Sequence, residues 1–382
     1  MPMRRIKVHA SIILLFTLTA CSSSGEPAPG PTSTEQAVSP AATSTLAATA
    51  VPSPLPSEPP SAPAGLSIQP GNIARLQSFR AFTMSAAVRA VEFSPDGTML
   101  ASASGDSERY EVAIWNVESG ERITTFKGHT AIVWDVTFSP DGAYLASSSK
   151  DRTARIWQVS TGTQLHVFNA PDEVTSVAFT PDGKYFAYGG VDGWPNAAVW
   201  LVDTSTWSQV VKVEEGWNIP AILFTPDSLL MIAGGISRNV RAWYIPEGNQ
   251  VYIIYYPGQV YDLALSPDAR TLAAAPCTES SNNTCQNVEL WLRDAGSGAI
   301  QARVYAGSSP VQAIRYAPDG SLLLTGSQDG VLKGWSMAGG ELVRTIPLTS
   351  AAIEDLAFSP DGDLLATAGS DGTIRIWNIP QE

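Results

Sequence analysis

The chain has 382 residues, 36 of them acidic and 23 basic, and its formal net charge at pH 7 is −13. Affinity for nucleic-acid phosphates depends on Lys and Arg, so this charge argues against a nucleic-acid partner. The chain has only three His residues, and no Ser-His-Asp or Cys-His catalytic set can be assembled around them. We therefore expect a protein that is not an enzyme and that needs no cofactor.

Residues 1–20 have the form of an export signal. Arg4, Arg5 and Lys7 precede a short apolar run over residues 11–20, which is too short to span a membrane. The run leads into Cys21, and the sequence Leu-Thr-Ala-Cys resembles the lipobox of bacterial lipoproteins. The resemblance implies that the protein is exported, lipidated on Cys21 and anchored to the bacterial cell membrane or envelope, facing outside the cytoplasm. An ordinary signal peptide with an incidental cysteine is the alternative.

Residues 21–71 are predicted to form a disordered tether. The segment contains eleven prolines, many Ser, Thr and Ala residues and no aromatic side chain. Such a composition cannot bury enough apolar surface to offset the entropy lost on ordering. The tether would hold a globular domain away from the membrane.

Seven tryptophans divide the rest of the chain into repeats. Successive members are 42 to 48 residues apart, which is the period of propeller blades. They are Trp115, Trp157, Trp200, Trp243, Trp291, Trp335 and Trp377. A Pro-Asp pair precedes each one by about 20 residues.

Residues 128–168 show what one repeat encodes. Four short segments alternate in strand fashion and are separated by turn residues. Ser139-Pro140-Asp141-Gly142 is one of these turns, in which Pro presets φ and Gly accepts a positive φ. Four short antiparallel strands make a sheet too small to cover both of its faces, so neighbouring repeats must stack on it.

Residues 72–382 resemble the WD-repeat β-propeller family. In that family a Trp, a Ser or Thr, a His and an Asp form a hydrogen-bonded tetrad that locks the blade. The matching residues of this chain are Trp157, Ser147, His129 and Asp151. Only this repeat is complete, because the others lack the histidine. His129 is therefore expected to be structural rather than catalytic.

The two ends of the repeat region predict how the ring closes. The last repeat stops after three strands, whereas residues 75–79 resemble the final strand of a repeat, as residues 122–126 do. An N-terminal strand that completes the last blade removes open sheet edges. The predicted fold is all-β: a seven-bladed propeller of four-stranded antiparallel blades, closed by the N-terminal strand.

The resemblance also indicates where a binding site should lie. In this family the connections between the second and third strands share one face, called the top, with the entries to the innermost strands. Three of these connections are expanded, at residues 105–112, 191–196 and 276–286. Loops positioned by a rigid scaffold often carry function. We expect a protein or peptide partner to bind this face through Arg89, Trp134, Asp135, Trp194, Trp217, Tyr261, Asp262, Gln312, Glu354 and Asp355.

Other interpretations of the top face stay open. Each tryptophan there could instead pack against a neighbouring loop. Asp135, Asp262 and Asp355 could converge on a hard cation in the channel, as in an extracytoplasmic propeller hydrolase, although repeat symmetry accounts for them equally well. Exposed tryptophans would also suit a carbohydrate-binding module. The identity of the partner and the oligomeric state cannot be inferred.

Cys277 and Cys285 lie in one of the expanded connections. An oxidising compartment outside the cytoplasm favours a disulfide between them, and two free thiols are the alternative. No His or further Cys lies near enough in sequence to complete a zinc site. No metal is therefore expected at this pair.

Overall fold

The computed structural model describes residues 66–193, 196–216, 218–281 and 284–380. Within them, 29 strands form seven antiparallel sheets, which are the blades of a propeller. The inner strand of each sheet contacts the inner strands of the sheets on both sides, and the seventh contacts the first. The predicted seven-bladed, all-β propeller is confirmed. In this described part of the chain, no helix is long and apolar enough to cross a membrane.

The strands follow one another with short connections, preceded by a 3-10 turn at Ile73–Arg75. In chain order they are β1 Gln77–Thr83, β2 Val88–Phe93, β3 Met99–Gly105, β4 Tyr110–Asn116, β5 Arg122–Phe126, β6 Val133–Phe138, β7 Tyr144–Ser149, β8 Thr153–Gln158, β9 Gln164–Asn169, β10 Val174–Phe179, β11 Tyr185–Val191, β12 Ala197–Asp203, β13 Ser208–Glu215, β14 Ala221–Phe224, β15 Leu230–Gly234, β16 Asn239–Tyr244, β17 Asn249–Tyr255, β18 Leu263–Leu265, β19 Thr271–Ala274, β20 Cys277–Ser281, β21 Thr284–Asp294, β22 Ile300–Gly307, β23 Val311–Tyr316, β24 Leu322–Ser327, β25 Val331–Ser336, β26 Glu341–Pro347, β27 Ile353–Phe358, β28 Leu364–Gly369 and β29 Thr373–Asn378.

Blade 1 consists of β2 to β5, blade 2 of β6 to β9, blade 3 of β10 to β13 and blade 4 of β14 to β17. Blade 6 consists of β23 to β26. Blade 5 differs from the predicted four strands, because β20 pairs with the first half of β21 and adds a fifth. The expansion of residues 276–286 is long enough to fold back as a hairpin, which satisfies its backbone hydrogen-bonding groups.

Blade 7 is completed from the other end of the chain. It consists of β27, β28 and β29, and β1 pairs with β29 in the outermost position. The N-terminal strand therefore closes the ring, as predicted. Phe82 of β1 is buried and stacks on Trp115 of blade 1, with ring centroids 5.0 Å apart. Closure thus joins the first and last blades through packing as well as through the strand ladder.

A short strap, residues 66–76, precedes β1 and lies along blades 6 and 7. Ile68 and Ile73 are both buried in the apolar cluster between these two blades. The backbone of Ile68 donates to the carbonyl of Gly362, and the Ser67 hydroxyl donates to Asp363. The domain boundary predicted at residue 72 falls inside this strap. Residues 1–65 lie outside the described residues, so the predicted signal peptide and most of the predicted tether remain predictions.

The seven marker tryptophans are all buried between blades. They occupy the third strand of each sheet and belong to the apolar clusters that fill the spaces between neighbouring sheets. A large aromatic side chain at this position buries enough area to join one thin sheet to the next. The period of the tryptophans is therefore the period of the interblade core.

The Pro-Asp turns lie at the end of each blade where the first strand ends. In the first of them Asp96 accepts from the Ser94 hydroxyl at 2.6 Å and from the backbone of Thr98 at 3.0 Å. The next residue, Gly97, has φ +73° and packs against Pro360 of the preceding blade. The same approach of a glycine to the proline of the preceding turn recurs in the other four turns that have glycine, and together the seven turns form the lower rim of the ring.

Candidate functional site at the mouth of the central channel

The top of the propeller is the end at which the inner strands begin. Strand register places the three expanded connections there: Val88 pairs with Ser104, Val174 with Gly190, and Leu263 with Ala274. The second strand of each of these blades therefore ends beside the start of its inner strand. The three connections project from the same end, as predicted from the resemblance.

Five of the seven inner strands carry a β-bulge next to their first residue. The bulged residues are Arg89, Trp134, Thr175, Gln312 and Glu354. In blades 4 and 5 the equivalent residues, Pro220 and Tyr261, lie just ahead of the strand. A bulge leaves its extra residue out of the ladder and redirects its side chain. All seven side chains accordingly line the mouth of a central cavity.

This cavity, the central channel, has a volume of about 780 Å³ and is lined by residues of all seven inner strands. Its size lies within the usual range of ligand pockets, about 300–1,000 Å³. The channel brings together eight of the ten side chains predicted for the top face: Arg89, Trp134, Asp135, Tyr261, Asp262, Gln312, Glu354 and Asp355. The other two, Trp194 and Trp217, lie outside the described residues.

Arg89 joins three blades at the mouth. Its guanidinium lies 3.3 Å from the Glu354 carboxylate of blade 7 and 5.5 Å from the centre of the Trp134 ring of blade 2. A guanidinium over an indole is favourable, and more so where water is partly excluded. On the far side, the Tyr261 hydroxyl donates to Gln259 at 3.0 Å. At the mouth the Tyr261 hydroxyl is therefore bonded, whereas the buried indole N–H of Trp134 has no hydrogen-bond partner among the described residues.

The three predicted channel aspartates fasten neighbouring blades together. Asp135 accepts from the backbone N–H of Val177 in blade 3 at 3.0 Å, and Asp355 accepts from Val91 in blade 1 at 3.0 Å. Asp262 accepts from Ile314 in blade 6 at 2.8 Å. Each also accepts from the residue that follows it, at 2.8 Å. No group of three or more metal-ligating side chains occurs in the part of the chain that the structure describes.

Two channel residues were missed by sequence reasoning, Glu92 of β2 and Arg315 of β23. Arg315 pairs with Asp262 through one guanidinium nitrogen and with Asp355 through the other, the latter at 2.8 Å. Glu92 accepts from the backbone of Phe138 in blade 2 at 2.9 Å. Both lie three residues after a bulged residue of the same strand. Extending the inward-facing pattern of each inner strand by one further position would therefore have identified them.

The channel carboxyl groups hold protons more tightly than usual. Burial raises the pKa of Glu92 to about 8 and that of Asp135 to about 7. Burial also raises the pKa of Asp355, to about 6, and that of Asp262, although Arg315 opposes both increases. Removing a carboxylate from water without a full complement of partners disfavours its charged form.

The tetrad predicted in blade 2 is assembled in the structure. The Trp157 indole donates to the Ser147 hydroxyl at 2.8 Å, Ser147 lies 2.7 Å from His129 Nε2, and His129 Nδ1 lies 2.8 Å from Asp151. Burial lowers the pKa of His129, so its ring is neutral and donates from Nδ1 to the carboxylate. A neutral, buried and fully bonded histidine, remote from the channel, has a structural role.

Cys277 and Cys285 form a disulfide with an S–S distance of 2.05 Å within the extra hairpin of blade 5. The hairpin contacts the loop that leads into the channel mouth, because the backbone of Cys277 donates to Gln259 at 3.3 Å. Gln259 is the residue that accepts from Tyr261. The disulfide therefore holds the hairpin close to one side of the mouth.

Comparison with known proteins agrees with this architecture. Residues 75–108, 120–158, 162–194, 300–336 and 340–378 match the model of the WD domain, G-beta repeat. The fold is thus a β-propeller in which five segments match the WD repeat. The matched segments leave out most of blades 4 and 5, which contain the short inner strands β14 and β18 and the extra hairpin.

Two similar proteins come from eukaryotes. The chain is 26% identical over 281 residues to the serine-threonine kinase receptor-associated protein of Homo sapiens, covering 65% of this chain and 78% of the human protein. It is 35% identical over 97 residues to eukaryotic translation initiation factor 3 subunit I of Pyricularia oryzae, covering 25% of this chain and 28% of that subunit. Neither similarity shows the lipid anchor predicted at Cys21, which lies outside the described residues.

Proposed function

We propose that this propeller is a non-enzymatic scaffold that binds a protein or peptide through its top face. The observation that carries the proposal is the ring of bulged or strand-preceding residues around the channel mouth. Five bulges redirect side chains toward one opening, and bulges occur often beside functional sites. Aromatic and arginine side chains such as Trp134 and Arg89 are the types that most often dominate binding energy at protein interfaces.

We further propose that a lipid on Cys21 displays the propeller at the cell envelope, outside the cytoplasm. The strap supports this arrangement. Its contacts with Gly362 and Asp363 lie at the rim formed by the Pro-Asp turns, opposite the channel mouth. A tether that reaches the domain at this rim leaves the top face open to a partner.

The binding proposal is tested by crosslinking in intact cells, followed by pull-down of the propeller. A Trp134→Ala and Tyr261→Ala double variant is expected to lose the crosslinked partner, because both rings lie at the mouth. Tyr244→Ala is the matched control, since Tyr244 is an exposed aromatic residue at the opposite end of blade 4. Equal recovery of the partner by the double variant and the wild type would sink the proposed site.

The anchor is tested separately by growing cells with a radiolabelled fatty acid. We expect label on the wild-type protein and none on a Cys21→Ser variant. A wild-type protein that is exported yet stays soluble and unlabelled would exclude the lipid anchor, while leaving the top-face site untouched.

A further inference from the structure

Below the mouth, a second ring of residues faces the central channel. Its members lie three residues after the mouth residues on each inner strand, and they are Glu92, Thr137, Ala178, Leu223, Ala264, Arg315 and Ala357. Four members are Ala or Leu, so much of the wall at this depth is apolar. The two charged members stand on blades 1 and 6, and they divide the channel into two unlike halves.

The half formed by blades 5, 6 and 7 is electrically compensated. Arg315 lies between Asp262 and Asp355 and pairs with both. The side chains of both aspartates are almost entirely buried. Two carboxylates that share one guanidinium, with their remaining oxygens bonded to backbone N–H groups, leave little capacity for another cation.

The half formed by blades 1 and 2 contains no such ion pair, although the charge of Arg315 acts on its two carboxyls at longer range. Glu92 and Asp135 line the same cavity, and neither makes an ion pair with a basic side chain in the described part of the chain. Their hydrogen-bond donors are all neutral: the Thr137 side chain and the backbone N–H groups of Phe138, Val136 and Val177. Neutral donors satisfy hydrogen-bonding geometry without supplying a counter-charge.

We infer that the channel receives a lysine or arginine side chain of the bound partner, which enters beside Trp134 and places its cationic end between Glu92 and Asp135. The inference rests on the proposed function and specifies the chemistry of the partner. An aliphatic stem with a charged end suits an apolar wall that leads to carboxylates. The Trp134 ring already packs against the guanidinium of Arg89 in the same chain, so the mouth is compatible with a guanidinium.

A metal ion is a poorer fit for the same place. Hard cations need about six to eight oxygen ligands, whereas the described residues contain no group of three or more metal-ligating side chains. Small-molecule amines share the chemistry of a lysine side chain. Such amines lack the flanking peptide backbone that the mouth residues would contact. A comparison of a free amine with an arginine peptide therefore distinguishes a small-molecule ligand from a protein side chain.

The test uses isothermal titration of the purified propeller with acetylated, amidated Gly-Gly-Arg-Gly-Gly. The matched probe replaces Arg with citrulline, which keeps the shape and removes the charge. We expect the arginine peptide to bind about tenfold more tightly, the scale of one good charge-assisted contact. Equal affinity for the two peptides overturns the inference.

Two variants locate the effect. Glu92→Gln keeps an oxygen that can accept from Phe138, and it is expected to abolish the preference for arginine over citrulline. Glu118→Gln makes the same change in net charge in an exposed turn of blade 1, and it should retain the preference. A preference that survives in Glu92→Gln, or agmatine binding as tightly as the arginine peptide, also overturns the inference.

The pH dependence of peptide binding by the wild-type protein is an independent test that needs no variant. Glu92 faces Asp135 and Arg315, and Asp135 faces Asp355 and Arg315. Because burial raises the pKa of Glu92 to about 8 and that of Asp135 to about 7, both carboxyls ionise further as pH rises from 6 to 9. The affinity for the arginine peptide should therefore rise over this range, and that for the citrulline peptide should not. A pH-independent preference contradicts the site.

Partner capture separates this inference from the proposed function. If capture is lost in the Trp134→Ala and Tyr261→Ala variant but unchanged in Glu92→Gln, the top-face site stands and the cation in the channel is excluded. If capture falls in both, the channel and the mouth act on the same partner.

Discussion

Ser147 shows how one small side chain can hold a blade together. Its hydroxyl accepts from Trp157 and donates to His129, which in turn donates to Asp151. All four side chains are largely withdrawn from solvent, and a buried polar group left without a partner costs about 1–3 kcal/mol. The hydroxyl is therefore the central member of the network, because two other groups depend on it.

Substitution of Ser147 by Ala is expected to lower the free energy of unfolding by about 2–4 kcal/mol, because it strands both the Trp157 indole and His129. Ser102→Ala in blade 1 is the control, since among the side chains that the structure describes that hydroxyl accepts only from the Trp115 indole. Its cost should be about 1–2 kcal/mol. Urea unfolding measures both, and an equal cost at the two positions would contradict a cooperative tetrad.

At the scale of elements, the Pro-Asp turns explain why glycine follows the aspartate in five blades. The residue after the aspartate has a positive φ in all seven turns. In blades 4 and 5 it is Ser228, with φ 58°, and Ala269, with φ 57°. The left-handed region costs a residue with a Cβ about 1–2 kcal/mol. Ser228 offsets part of this cost, because its hydroxyl accepts a hydrogen bond from the backbone N–H of Asp182 in the neighbouring turn. Ala269 has no side-chain hydroxyl that could do the same.

Ala269→Gly is expected to raise the free energy of unfolding by about 0.5–1 kcal/mol, the relief of strain less the entropy gained by the unfolded chain. The reverse change at the equivalent residue of blade 6, Gly320→Ala, should lower it by a similar amount, because Gly320 has φ +73°. Denaturant unfolding of the pair gives the comparison. Destabilisation by Ala269→Gly would show that its side chain makes a contact worth more than the strain.

At the scale of the whole molecule, stability depends on two kinds of long-range joint. One is the closure of the ring by β1, which pairs with the last strand of the chain and packs Phe82 against Trp115. The other is the set of aspartates that reach from one inner strand to the backbone of the next. Both joints connect residues that are distant in sequence, so the blades depend on the ring for their stability.

Phe82→Ala is expected to lower the free energy of unfolding by about 3–5 kcal/mol, the usual cost of truncating a buried Phe. Ser78→Ala on the same strand is exposed, and it should change stability by less than about 0.5 kcal/mol. Thermal and urea unfolding would record both. A mild effect of Phe82→Ala would mean that closure relies on the strand ladder alone.

The channel carboxyls also give the whole protein a pH dependence. A carboxyl whose pKa is raised on folding contributes stability that is complete below its unfolded value and is lost as pH rises through the folded value. Glu92 and Asp135 have folded pKa values of about 8 and about 7, so the loss falls between about pH 4.5 and 8. Turn aspartates such as Asp182, whose pKa is lowered to about 2 by its hydrogen bonds despite partial burial, act in the opposite sense below pH 4.

We therefore expect the wild-type free energy of unfolding to fall between pH 5.5 and 8.5. Glu92→Gln should reduce the fall by about 1–2 kcal/mol, because it removes one of the titrating groups. Glu215, whose pKa burial raises to about 7, stays in both proteins and preserves part of the slope. Parallel pH profiles for the two proteins would show that Glu92 does not titrate in this range.

Much of the fold could be predicted because each blade is encoded within one contiguous stretch of chain. The alternation of apolar residues defined the strands, the Pro-Asp-Gly turns defined their ends, and Trp157 with its partners marked the tetrad. The fifth strand of blade 5 was not predicted, because residues 276–286 carry no strong alternation, and β20 pairs with an extension of β21, the strand that also pairs with β22. Local patterns report local structure, and this hairpin depends on its surroundings.

The candidate site was predictable in position but not in its electrostatics. Mouth residues such as Trp134 and Glu354 could be found by aligning the starts of the inner strands. The pairing of Arg315 with Asp262 and Asp355 spans 53 and 40 residues, and it exists only because three blades converge on one channel. The sequence shows that Glu92 and Asp135 are acidic, but only the structure shows that Arg315 pairs directly with Asp262 and Asp355 instead of with them.

The number of blades and the tetrad that locks blade 2 could be predicted from the sequence, because the repeats and the tetrad contacts lie within about 40 residues. Only the three-dimensional fold shows how the charges of the channel side chains are divided between its two halves. Those relations depend on the circular arrangement of the inner strands, and no contiguous segment contains that arrangement. Coulomb interactions and burial depend on distances in space, whereas the repeat pattern reports only positions along the chain.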